Sequence, residues 1–173
     1  MLRETINQEI KKAMRGKSEL LLLVLRGINA AIQNKEIEKR TKLSKTSVFA
    51  GASADKGKLE KLDKESKLTE EEVIGVISTE AKKRRDSIVE FKKGNRNDLV
   101  EKEEKELEIL KKYLPEQMNE DQVKEEAKKV IVEFGAVGPK DTSKVMSALM
   151  PKIRGKVDGS TVSRVVNELL NSQ

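Results

Sequence analysis

The chain has 173 residues, of which 36% are hydrophobic, 2% aromatic and 38% charged, with a net charge of +6. That composition suits exposed helices carrying narrow apolar stripes and disfavours a sheet protein, which draws on β-branched and aromatic residues. Neither cysteine nor histidine occurs, which removes disulfides, thiolate nucleophiles, the Ser-His-Asp arrangement, and the commonest general base and metal ligand.

In chain order, Leu2, Ile6, Ile10 and Ala13 recur at helical spacing and predict a first helix to Arg15, ended by Gly16 as a C-cap. The basic, amphipathic start of the chain superficially resembles a mitochondrial presequence. Glu4, Glu9 and the apolar spacing instead fit a packed helix. A second helix, capped by Ser18, runs towards Arg40 with Leu21, Val24, Leu25, Ile28 and Ile32 facing the core. Gly27 inside it costs about 1 kcal/mol relative to alanine, so either another helix approaches there or the cost is tolerated. The longest apolar run, from Leu20 to Leu25, is far short of the roughly 20 residues that cross a bilayer.

Residues 41–67 are rich in Ser, Gly, Ala and Lys and show no sustained period. They read as a flexible insertion, with a short helix at 58–63 as an option and a functional basic arm as the sharper alternative. The net charge is concentrated here. Residues 39–67 hold nine cations and four acids, whereas residues 115–173 hold nine of each. The overall +6 therefore does not by itself indicate a nucleic-acid binder.

Thr69 and Glu72 form a capping-box pattern that opens a long helix with Val73, Ile77, Ala81, Ile88 and Phe91 on one side. Gly94 and Asn95 break it. Asn97 or Asp98 caps the next helix, which carries Val100, Leu107, Leu110 and Leu114. Its acid-first pairs, Glu101–Lys105 and Glu108–Lys112, stabilise an exposed face. Pro115 stops it. After the proline three short helices follow. Asn119 and Gln122 box the first, which has Val123, Ala127, Val130, Ile131 and Phe134 inward and is ended by Gly135. Lys140 or Asp141 opens the second, with Val145, Met146, Leu149 and Met150, and Pro151 ends it. Ser160 caps the third, with Val162, Val165, Val166 and Leu169. The expectation is an all-α protein, with an N-terminal helical bundle or hairpin unit at 1–114 carrying the insertion 41–67, then a small three-helix unit at 115–173.

The stretch EAKKRRDSIVEFKKGNRNDLVEKEEKELEILKKYLPEQM closely resembles the YqeY family, soluble relatives of the tail domain of the GatB subunit of glutamine-dependent tRNA amidotransferase. The resemblance extends to RGINAAIQNKEIEK at 26–39 and to KVMSALMPKIRGKVDGSTVSRVVNELL at 144–170. Bacterial members have a much shorter connection where this chain has its insertion. The resemblance implies an accessory, RNA-binding role, with tRNA or a tRNA-modifying protein complex as partner, and no known reaction; no cofactor is expected. It also implies an intracellular, soluble protein. That would mean the mitochondrial matrix for a fungal mitochondrial member whose presequence has been removed, and the cytoplasm otherwise. Carry-over from the tail-domain pattern reaches Lys144, Met146, Lys152, Gly155, Lys156 and, more loosely, Asp158 and Asn167.

Three constellations could carry chemistry. In KIRGKVDGS, two glycines and the cations Lys152, Arg154 and Lys156 precede a helix N-terminus, a setting that favours phosphate, with Arg164 as a supporting charge. The plainer reading is an interhelical turn in which Gly155 and Gly159 supply positive φ. A secondary basic face comprises Lys82, Lys83, Arg85, Lys92 and Lys93. Neighbouring Arg84 lies near the apolar stripe and is expected to pair with a carboxylate such as Glu36. Glu101, Glu103, Glu104, Glu106 and Glu108 alternate with lysines on what reads as an open helix, so no catalytic residue is assigned. No phosphate loop, nucleophile elbow or metal-spaced cluster is present. Two further functions stay open: a protein-interaction adaptor without an RNA role, and carbon–nitrogen ligase activity with glutamine as amido donor, exerted only within a complex.

Overall fold

A computed structural model describes residues 2–46 and 55–171. Among these residues there are helices and turns and no strand, so the protein is all-α. The helices are α1 (Leu2–Arg15), α2 (Glu19–Ser44), α3 (Lys56–Glu65), α4 (Glu70–Lys93), α5 (Asn97–Lys111), α6 (Glu120–Phe134), α7 (Thr142–Ile153) and α8 (Gly159–Asn171), with a 3-10 turn at Pro139–Asp141 before α7. They form two compact units, Met1–Tyr113 and Leu114–Gln173.

The first unit is built from two antiparallel hairpins, α1–α2 and α4–α5. Its core comes from the narrow stripes read in the sequence: Ile6 and Ala13 of α1, Val24 to Ile32 of α2, Val73, Ile77, Ala81 and Ile88 of α4, and Val100, Leu107 and Leu110 of α5. Phe91 is only half-buried. Tyr113, just past α5, is buried instead, and its hydroxyl donates to the Glu9 carboxylate. Burial, then the bond to Glu9, pushes its pKa up. Gly27 is exposed with no atom near its Cβ position, so no helix approaches there.

Three corner residues differ from expectation. After α1 the left-handed residue is Lys17 (φ 52°), not Gly16. Ser18 precedes α2 without a side-chain cap bond. Arg96 occupies the N-cap position of α5, also without one, since a guanidinium has no acceptor; the Asp98 carboxylate pairs with Arg96 at 2.9 Å. The Thr69–Glu72 capping box forms as read.

Within the stretch read as a flexible insertion, α2 continues to Ser44 and a ten-residue α3 follows. Local chemistry explains α3. Asp55 accepts from the amides of Gly57 and Lys58, satisfying two first-turn donors. Leu62 is buried against Leu43, and Arg40 pairs with Asp63 at 2.7 Å. Residues 47–54, the middle of that stretch, lie outside the described residues.

Two buried carboxylates hold the hairpins together. Glu106, only 2% exposed, meets Arg84 at 3.0 Å, and Glu103 meets the same guanidinium at 3.1 Å. Arg84 thus pairs across α4–α5, not with Glu36, and Glu106 is not on an open face. The reason is geometric: Arg84 and Glu106 sit on facing sides of one hairpin, whereas Glu36 is claimed elsewhere. Glu36, 7% exposed, accepts from Arg3 of α1, from the Leu68 amide at 3.3 Å and from Lys67 at 3.5 Å. Burial raises its pKa, but the Arg3 and Leu68 hydrogen bonds and the charges of Arg3 and Lys67 outweigh it, so the carboxyl stays below its ordinary value.

On α5, Glu108 bonds Lys111 at i+3 rather than Lys112, and no Glu101–Lys105 pair forms. In the second unit, α6, α7 and α8 close on a core of Val123, Ala127, Val130, Ile131, Val145, Leu149, Ile153, Val162, Val165, Val166 and Leu170. The Asn119–Gln122 capping box and the left-handed Gly135 (φ 59°) bound α6. Phe134 is 38% exposed rather than inward. Pro151 lies inside the last turn of α7, which ends at Ile153.

Two measurements follow. Replacing Glu36 by alanine leaves Arg3, Lys67 and the Leu68 amide without their acceptor. It should cost about 2 kcal/mol at neutral pH. A carboxyl whose pKa is depressed in the native state stabilises it above the ordinary glutamate value, and that contribution is lost as pH falls below it. Urea midpoints of wild type and Glu36→Gln should therefore differ at neutral pH and converge in acid. A gap that is constant with pH would mean the charge of Glu36 is irrelevant. For α3, Leu62→Ala should speed amide exchange in residues 56–65 while leaving protection in α4 and α5 unchanged, because only Leu43 packs on that side chain within its cluster. Equal loss of protection in α4 would show that α3 belongs to the main core.

Candidate nucleic-acid interface

The turn between α7 and α8 brings Lys152, Arg154, Gly155 and Lys156 together. Chain chemistry dictates its shape. Arg154 caps α7 in extended ψ, and Gly155 follows at φ 77°. That region costs a side-chain-bearing residue roughly 1–2 kcal/mol, and glycine avoids the cost. Gly155 is buried, and its carbonyl accepts from the Gln117 side chain at 2.7 Å. The Lys156 carbonyl accepts from the Met118 amide at 2.7 Å. The turn is therefore pinned to the segment preceding α6, a support that sequence spacing could not reveal. Gly159 has no positive φ and is the first residue of α8.

The phosphate-binding capacity of the turn differs from what the sequence suggested. The Asp158 carboxylate, not Ser160, caps α8, accepting from the Ser160 amide at 2.9 Å and its hydroxyl at 2.7 Å. A negative group already occupies the positive end of the helix dipole there. Any anion bound nearby must be held by side-chain cations rather than by free amides.

Those cations are unequally available. Lys152 is exposed but lies 3.2 Å from Glu133. Lys156 is half-buried, and its charge, with that of Lys152, helps lower the Glu126 pKa, whose main cause is the Lys129 hydrogen bond. Arg154 is exposed, and its side chain has no hydrogen-bond or ion-pair partner among the described residues. Arg164 is committed: it meets Glu120 at 2.5 Å and Glu168 at 2.9 Å. Glu120 is held down to about 2 by the hydrogen bonds of Arg164 and Lys124. The structure thus unites Lys152, Arg154 and Lys156 and sets Arg164 apart as a tie between α6 and α8.

Of the other tail-pattern positions, Lys144 sits 5.7 Å from the Phe134 ring centre and donates to the Phe134 carbonyl at 3.3 Å. Asn167 accepts from Thr142 at 3.3 Å. Both side chains are exposed, and these contacts lie within the second unit.

The secondary basic face on α4 is heavily neutralised. Lys83 pairs with Glu80, Lys92 with Glu104 and Lys93 with Glu90, and Lys82 and Arg85 are engaged as well. The groove of about 720 Å³ between α4 and α5 sets Arg85, Lys105 and Lys111 beside Glu101, Glu104 and Glu108. Its mixed sign makes it a poor anion cradle. Among the described residues no group of three or more His, Cys, Asp or Glu side chains could hold a metal.

Gly155 provides a direct test of the turn. Gly155→Val must place a branched side chain at positive φ in a buried position, so it should destabilise the second unit by about 2 kcal/mol or more. Arg154→Ala, exposed and unpartnered, should change stability by less than about 0.5 kcal/mol. Thermal unfolding of both variants checks this. Equal, small effects would mean the turn is not constrained as described.

Residues 3–52 and 52–170 match the family model described as Yqey-like protein. The chain is 38% identical over 109 residues to "Altered inheritance of mitochondria protein 41, mitochondrial" of Lachancea thermotolerans, covering 63% of this chain and 46% of that protein. It is 33% identical over 108 residues to the protein of the same name from Kluyveromyces lactis, covering 62% and 45%. With that of Saccharomyces cerevisiae (strain YJM789) it is 37% identical over 106 residues, covering 61% and 44%. The chain thus spans under half the length of these curated relatives. The family match, in contrast, runs through both helical units and takes in the α7–α8 turn, and this chain belongs to the Yqey-like protein family.

Proposed function

We propose that this chain is a non-catalytic accessory module that contacts RNA, with tRNA or a tRNA-modifying complex as its target. The observation that carries the reading is the α7–α8 turn, where Lys152, Arg154 and Lys156 flank a glycine pinned in positive φ. A rigid backbone presenting three cations suits phosphate contacts, which position a nucleic acid without reading its sequence. The turn's resemblance to the tail domain of an amidotransferase subunit supplies the class of RNA. Arg164, held by two carboxylates, is left out of the contact set.

The relatives' names carry the word mitochondrial, and we place this chain in mitochondria on that ground. No described helix is long and apolar enough to cross a membrane.

The adaptor reading has one observation in its favour. Val132 and Val137 are each 80% exposed at the end of α6, beside the partly exposed Phe134. A packed apolar contact there would be nearly insensitive to salt. Among the described residues no arrangement of side chains supports carbon–nitrogen ligase activity, and we assign any such role to a larger complex.

Salt separates the two main readings. Three phosphate contacts give a log–log slope of about −2 to −3, so tRNA affinity should fall roughly 40-fold between about 50 and about 200 mM salt. Replacing Lys152, Arg154 or Lys156 by alanine should reduce that slope by about one each, equally for all RNA sequences. Filter binding measures both. A triple-alanine variant with unchanged affinity and slope would discard the turn as an RNA contact.

A further inference from the structure

The corner where α1 turns into α2 is a weakly neutralised stretch of the first unit. Between residues 11 and 26 stand Lys11, Lys12, Arg15, Lys17 and Arg26 against a single acid, Glu19. All five cations are exposed, and among the described residues none of their side chains has a hydrogen-bond or ion-pair partner. This contrasts with α4, where the lysines and arginines are engaged. The same corner also exposes aliphatic surface. Met14 is 54% and Leu23 is 55% exposed, and Leu20, Leu21 and Leu22 are half-buried. Helical rise places the charged positions within roughly 15 Å of one another along the hairpin end.

Cations and aliphatic side chains sharing one exposed corner fit a particular partner. Phosphate headgroups attract the cations, and the shallow apolar layer beneath them takes up short aliphatic groups. RNA would use the cations but gain nothing from Met14 or Leu23. Residues 11–26 contain no aromatic side chain, and Tyr113, whose hydroxyl reaches Glu9 of α1, is buried and offers no open face on which a base could stack. The 26-residue α2 carries four consecutive leucines at its start, yet no described helix is long and apolar enough to cross a bilayer. The contact is therefore peripheral.

We propose that the α1–α2 corner is a docking surface for an anionic phospholipid bilayer, held by Lys11, Lys12, Arg15, Lys17 and Arg26 and seated by Met14 and Leu23. This surface is separate from the α7–α8 turn and does not depend on its RNA role.

The test is vesicle flotation with the whole chain. One set of vesicles contains about one third anionic phospholipid and the other is purely zwitterionic. Binding should occur to the first only and weaken as salt rises. Each cation near an anionic surface contributes about five-fold in affinity, so Lys11→Ala with Arg15→Ala should weaken binding about 25-fold. Leu23→Ser should weaken it about ten-fold at unchanged net charge. All three side chains are exposed, so the helical circular dichroism spectrum should stay as in wild type; Lys17→Ala, outside any helix, provides a second charge variant. Three outcomes would overturn the proposal: no binding to anionic vesicles, equal binding to both vesicle types, or binding indifferent to Leu23→Ser. So would tRNA binding lost in the Lys11/Arg15 variant but kept in Leu23→Ser without any vesicle binding, which would make the corner an RNA surface.

Discussion

The structure depends on buried carboxylates that are fully answered. With so few aromatic residues and such narrow apolar stripes, hydrophobic burial alone fixes the helices only loosely about their long axes. Glu36 and Glu106 supply the missing specificity. Each would cost several kcal/mol to bury alone, and each is met by a guanidinium from a different helix. Arg3 and the Leu68 amide lock α1 and the start of α4 onto α2, and Arg84 locks α4 onto α5. Breaking either pair strands a charge in the interior, so the two hairpins have one satisfactory register rather than several.

The same economy decides which cations remain for function. Many lysines and arginines on the helix surfaces are consumed by carboxylates three or four residues away, across a hairpin or on a neighbouring helix, as with Lys92 and Glu104 or Arg164 and Glu120. Among the described cations left outside such pairs are Arg154 on the α7–α8 turn and the group from Lys11 to Arg26 on the α1–α2 corner. A net charge of +6 therefore says less about ligand binding than the position of these unpaired groups. Both surfaces lie at or beside turns, on the ends of the helices that flank them.

Seven of the eight described helices and most core residues were legible because a 3.6-residue period in a chain without competing strand patterns admits one reading; the ends of α2 and α7 were read too short. The two capping boxes were equally legible, since each is encoded within four residues. What escaped were features set by distant partners. Arg84 could reach either Glu36 or Glu106 as far as spacing shows, and only the packing of α5 on α4 chooses. Lys152 and Glu133 are nineteen residues apart, so the neutralisation of the candidate site left no sequence signal. α3 was underread for a different reason: its order comes from Asp55 and a single leucine, too little to register as a period. Asp158 displaced Ser160 as the cap of α8 because a carboxylate two residues earlier reaches both the amide and the hydroxyl of the serine.

The central claim is that charge pairing leaves the α1–α2 corner lysines free while committing others of the same unit. Competitive amine labelling of the native protein, read by mass spectrometry residue by residue, tests it most directly. Lys39 lies 2.8 Å from Glu72 and also donates to the Lys67 carbonyl at 3.2 Å. The account predicts that Lys11, Lys12 and Lys17 react at close to the rate of an unstructured peptide, with Lys39 clearly slower. Indistinguishable rates for the corner lysines and Lys39 would contradict it.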